Sequence, residues 1–245
     1  YKDLGQLNNA FASTLQSLKL KPDNPLAHMN LGSIYNDLGQ LDDALASTLK
    51  SLELNPDNPT AHMNLGGIYN DLGQLDDALA STLRSLELKP YNPTAHMNVG
   101  GLYLSLRLYN NAIDHTLRSL KIQPNNPSGY INLSSIYKKT NNIPKAIESI
   151  RHAIQLDSEN ADAHNISGCI NLETKNITKA EESFLRSIHL DDQHAESYRY
   201  LSIIYYTKGS YEASIDCIEK AIAIDPNCPE NKEVEAILKG KIKNK

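Results

Sequence analysis

A chain of 245 residues is long enough to bury a substantial core, but its composition excludes several classes of protein. The 24 basic and 29 acidic residues give a formal net charge of −5, spread along the chain rather than gathered into the basic face that a phosphate backbone attracts, so no nucleic-acid partner is expected. No apolar run nears the roughly 18 residues of a membrane span, and three cysteines (Cys169, Cys217, Cys228) without CxxC spacing suit free thiols in a reducing, cytoplasmic setting better than a disulfide framework.

The predicted elements repeat. Pro25–Asn58 and Pro59–Asn92 align without a gap and match at 29 of 34 places. The same period continues through residues 93–126, 127–160, 161–194 and 195–228, while residues 1–24 fit the last 24 places of an earlier copy and 229–245 begin another. The expectation is one uninterrupted array over 1–245, with no residues left over for a second domain.

Within Pro59–Asn92, Asn58 supplies a side-chain acceptor at an N-cap, and Pro59 a fixed φ at the first helical position. Ala61, Leu65, Ile68, Tyr69 and Leu72 recur at spacings of three and four, the stripe of an amphipathic helix. Gly73 can end that helix in the left-handed conformation, and Asp76 and Asp77 open a second helix where its dipole favours carboxylates. Leu75, Ala78, Leu79, Leu83, Leu86 and Leu88 face back onto the first helix, and Pro90 ends the second. Gly66, Gly67 and Ala78 are expected to let the helices approach closely. Two short helices cannot bury both faces alone, so copies must stack. In the last segment the packing places carry Lys232, Glu235 and Lys239, as a capping helix with one wet face would. Tyr1 corresponds to Tyr35 and Tyr69, so the chain starts inside a repeat. An uncapped start of that kind suggests a piece of a longer protein, or self-association through the exposed end.

A strict 34-residue period carrying Leu65-Gly66, Tyr69, Gly73, Ala78 and Pro90 resembles the tetratricopeptide repeat. The resemblance covers the whole chain and implies an all-α fold, a right-handed α-solenoid of about thirteen or fourteen antiparallel helices. Two departures are consistent. The family's early aromatic is His28, His62, His96 and His164 here, and its later aromatic is Thr48, Thr82 and Thr116, with Phe only at Phe184. Both shrink and polarise the packing between paired helices.

No catalytic motif is present: GxSxG, HExxH, the P-loop and GxGxxG are all missing, so neither an enzyme nor a cofactor is expected. His28, His62 and His96 hold a packing place in successive repeats, roughly 8–10 Å or more apart, which is too far for shared metal ligation. No metal site is expected from them.

The resemblance implies instead a concave surface lined by the first helices, which takes a protein or peptide. Counted from Pro25, place six is Asn30, Asn64, Asn98 and Asn132. An amide offers a donor and an acceptor that match a peptide unit, so a row of them can hold an extended main chain, similar to the repeat domain of O-linked N-acetylglucosamine transferases. The alternative is that these amides bond across helices. Place five is Met29, Met63 and Met97, either an adaptable contact stripe or packing filler. Further along, Lys138 and Lys139 replace Asn-Asp pairs, Arg199 replaces Met, and Tyr206 follows on the same face. This change of charge suggests selection for an acidic group, with a solvated face as the alternative. Two functional readings follow: an interaction scaffold that binds an extended peptide or a partner's helix, or the recognition arm of a larger glycosyl- or sulfotransferase.

Overall fold

The computed structural model describes residues 4–243, which fall into two compact units divided between Pro124 and Asn125. The first holds α1 (Leu4–Leu20), α2 (Pro25–Asp37), α3 (Leu41–Leu54), α4 (Pro59–Asp71), α5 (Leu75–Leu88), α6 (Pro93–Ser105) and α7 (Tyr109–Ile122). The second holds α8 (Pro127–Lys139), α9 (Ile143–Leu156), α10 (Ala161–Glu173), α11 (Ile177–Leu190), α12 (Ala195–Thr207), α13 (Tyr211–Ile224) and α14 (Pro229–Lys243). No strand occurs among the described residues. The fold is an all-α solenoid, each unit a stack of antiparallel helix pairs. Tyr1, on which the expectation about the chain's start rests, lies outside the described residues.

The helix ends form as their residues dictate. Asn58 Oδ1 accepts from the backbone N–H groups of Thr60 (3.0 Å) and Ala61 (3.2 Å), and Asn24, Asn92, Asn126 and Asn160 cap their helices in the same way. In the sixth copy His194 takes over, Nδ1 accepting from the Ser197 N–H at 3.3 Å. Gly39, Gly73 and Gly209 close first helices at φ of 72°, 74° and 80°. Arg107, Asn141 and Lys175 occupy the corresponding places at φ of 59°, 58° and 60°, a conformation that is costly for a residue with a Cβ.

The paired helices approach through a matched couple of side chains. A Cβ on Gly66 would lie 2.1 Å from Thr82 Oγ1, and Gly32 and Gly100 meet Thr48 and Thr116 similarly. In α10 and α11 the couple becomes Gly168 and Phe184, whose ring fills the space over the glycine. The departure from the family's later aromatic is thus a smaller, more polar fit at the same crossing. Gly67 differs from expectation: a Cβ there, as at Gly101, would meet nothing within 4 Å, so it leaves a first helix open rather than drawing two together.

Candidate functional site

The histidines of the early aromatic place do one repeated job. His28, His62 and His96 each set Nε2 against a backbone carbonyl six residues earlier (Pro22, Pro56 and Pro90, at 2.8, 2.8 and 3.1 Å), and His164 does so with Ser158 at 3.0 Å. A carbonyl only accepts, so Nε2 carries the proton and Nδ1 is left as the acceptor. The ring packs where the family has an aromatic and also ties down the turn between repeats.

In the first unit, Asn30 and Asn98 are exposed and Asn64 is half-buried. Asn64 Nδ2 donates to Ser33 Oγ at 2.8 Å, a bond from α4 across to α2. Asn64 therefore makes the cross-helix bond, which leaves its Oδ1 to accept. An open pocket of about 250 Å³ surrounds it, bordered by Ser33, Asn36, Met63, Gly67 and Asn98 from α2, α4 and α6. Gly67 contributes by having no side chain. Met29 and Met63 are half-buried, and their sulfurs face Asn58 Nδ2 (3.6 Å) and Asn92 Nδ2 (3.9 Å), the caps of the following helices. They fill the joint between successive first helices. Met97 is half-buried as well.

In the second unit, Asn132, Lys138 and Tyr206 are half-buried and Lys139 is exposed. Arg199 is committed internally. Its guanidinium lies 3.3 Å from Glu196 Oε1, 3.4 Å from Asn231 Oδ1 and 3.5 Å from Cys228 Sγ. Glu196 also accepts from Asn165 Nδ2 at 2.8 Å, and Ser197 Oγ donates to Asn165 Oδ1 at 3.1 Å. Sequence reasoning missed this network; its signal was the change of place five from Met to Asn165 and Arg199. Cys169 is only 4% exposed. Burial pushes its thiol pKa up, so it is held as a thiol. Tyr200 packs against Phe184 with ring centroids 5.1 Å apart, and burial raises its pKa to about 12.

Elsewhere in the first unit the structure brings together two residues that the sequence reading did not connect. His96 Nδ1 and His115 Nδ1 lie 3.2 Å from one another. Burial lowers the pKa of both rings.

No helix among the described residues is long and apolar enough to cross a membrane. Models described as TPR repeat and tetratricopeptide repeat match residues 32–69, 59–92, 127–160 and 195–228, together just over half of the chain. Curated proteins give no match. Among solved structures, a tetratricopeptide repeat protein from Parabacteroides merdae is similar over 96% of this chain and 93% of its own, with TM-score 0.81 and 21% identity. The APC/C hetero-tetramer Cut9–Hcn1 gives TM-score 0.84 at 15% identity, covering 96% of this chain and 47% of that one, so the chain spans about half of that relative's length. YrrB, described as a TPR protein with an unusual peptide-binding site, is similar over 77% of this chain and 97% of its own, with TM-score 0.52 and 21% identity. With its 34-residue period, its caps and its glycine-mediated crossings, the chain belongs to the tetratricopeptide repeat family.

Proposed function

We propose that the first helices of each unit present a docking face to an extended peptide or a partner's helix, with Asn30, Asn64 and Asn98 bonding to a main chain on the first unit's face and Asn132 on the second's. The observation that carries this reading is the open pocket around Asn64, where three successive first helices leave room beside a row of amides. The fold is a general protein-interaction scaffold, and YrrB, with its peptide-binding site, shares it. Lys138 and Lys139 give the second unit's face its preference for acidic side chains, while Arg199 is held by Glu196 and contributes shape rather than free charge.

The test is to select binders from a random linear-peptide display library, then titrate a selected peptide into the chain and into an Asn30→Ala, Asn64→Ala, Asn98→Ala triple variant. Each lost amide contact costs about 0.5–1.5 kcal/mol, so a loss of tenfold or more is expected for the triple variant. Unchanged affinity in a variant of unchanged circular dichroism would move the site off this face.

A further inference from the structure

The His96–His115 pair stands outside the docking face, in a cleft of about 330 Å³ between α5, the Pro90 turn and α7. The repeat pattern isolates it. The place held by His115 is Ser47 and Ser81 in the two preceding copies and Ser149 and Ser183 in the two that follow, so only the third copy sets a second imidazole against the first-helix histidine. We propose that His96 and His115 form a two-imidazole clasp for a divalent transition-metal ion such as Zn(II), bound through both Nδ1 atoms with solvent completing the shell.

Geometry supports this. Two nitrogens at about 2.05 Å from a metal lie about 3.3 Å apart at the tetrahedral angle and about 2.9 Å apart at a right angle. The observed Nδ1–Nδ1 separation of 3.2 Å falls between these values. The ring centroids are 5.2 Å apart and the planes are tilted by 51°, so the nitrogen edges meet rather than the faces. His96 also has the orienting contact that metal-bound imidazoles characteristically use: Nε2–H donates to the Pro90 carbonyl, which fixes the tautomer and leaves the Nδ1 lone pair directed at His115.

Without metal, His115 Nδ1 carries the proton shared between the rings. Binding moves that proton to His115 Nε2, a tautomer change with no net proton release. Both rings have depressed pKa values, so both are neutral, as ligands must be. The one cation on the cleft wall, Arg118, is paired with Asp114 at 2.9 Å, and Glu87 also borders the cleft. Among the described residues no group of three or more His, Cys, Asp or Glu could hold a metal, so the ion would keep water ligands and bind exchangeably.

The experiment is a calorimetric titration of Zn(II) into the chelator-stripped chain and into His115→Ser, which installs the residue of the neighbouring copies. His115→Gln serves as a companion variant that loses the imidazole but keeps a polar side chain of similar reach. The wild-type chain should show a binding event that weakens at least tenfold in both variants and persists in His62→Gln. Zn(II) should also raise the melting temperature of the wild type and not that of His115→Ser. Equal titrations of wild type and both His115 variants, loss of the event in His62→Gln, or no binding by the wild type would each overturn the clasp and leave the pair as a hydrogen bond.

Discussion

Gly66 and Thr82 are fitted to one another: the hydroxyl stands where a Cβ of residue 66 would have to be, 2.1 Å away, and itself donates to the Ala78 carbonyl at 2.8 Å. Its neighbour Gly67 faces open space. Adjacent glycines in one helix should therefore respond to alanine with opposite sign. Gly66→Ala must displace Thr82 in a close-packed crossing and should destabilise by about 1–3 kcal/mol. Gly67→Ala gains helix propensity and should stabilise by up to about 1 kcal/mol. Urea unfolding of the two variants checks both, and combining Gly66→Ala with Thr82→Ala should recover part of the loss. A Gly66→Ala variant as stable as Gly67→Ala would mean that the crossing is loose.

Arg107 adopts φ of 59°, where the same place elsewhere holds Gly39, Gly73 and Gly209. Strain there costs roughly 1–2 kcal/mol, partly offset by the greater freedom glycine loses on folding. Arg107→Gly should raise stability by about 0.5–1 kcal/mol, and thermal unfolding monitored by circular dichroism would register it. A fall in melting temperature would indicate that the arginine side chain contributes more than its backbone costs.

These two cases also mark what the sequence makes legible. Helix starts and ends follow from local chemistry, so Asn58, Pro59 and Gly73 announce them in one dimension. Arg107 does not announce a left-handed residue; only its alignment with Gly73 does. The meeting of His96 with His115 depends on which faces of α6 and α7 oppose one another, and the clue was a single histidine in a column of serines. Asn64 was legible as a face, with a bond across helices as the alternative, but its partner Ser33 was not, because a donor and acceptor 31 residues apart are joined by stacking rather than by spacing.

Acid should act on the first unit through the same histidine pair. His96 is shifted down by burial first, then by Arg118, against the raising effects of the Pro90 carbonyl and Asp114. His115 is shifted down by burial, then by His96 and Arg118, with Asp114 opposing. Both folded pKa values lie below the unfolded value of about 6.5. Above pH 6.5 the two states carry the same charge at these rings and stability is full. As pH falls below 6.5 the unfolded chain takes up protons first, so stability declines until the folded pKa values are passed. Urea midpoints between pH 8 and pH 5 should fall more for the wild type than for His115→Ser. Parallel curves would show that the pair is not titrating as a unit.

In the proposed acidic-preference surface of the second unit, Arg199 is a structural part, held by Glu196, and Lys138 with Lys139 the ligand-facing part. Glu196 holds both Arg199 and the buried Asn165, whose Nδ2 donates to that carboxylate at 2.8 Å. Removing that carboxylate strands a buried amide donor, so Glu196→Ala should cost about 1–3 kcal/mol of stability. Arg199→Met, which restores the residue of Met29, Met63 and Met97, should leave a selected acidic peptide bound with nearly unchanged affinity. Lys138→Glu with Lys139→Glu should do the reverse: stability stays close to wild type, because Lys139 is exposed and Lys138 only half-buried, while affinity for the acidic peptide falls. That loss should be largest at low salt, since exposed charges are screened over about 10 Å at 0.1 M ionic strength. Fluorescence anisotropy at 20 mM and 300 mM salt, nominal values of about one-fifth and three times that reference, separates the two parts. If Arg199→Met weakens the acidic peptide as much as the double lysine reversal does, the arginine is a ligand group despite Glu196, and the division proposed for this face is wrong.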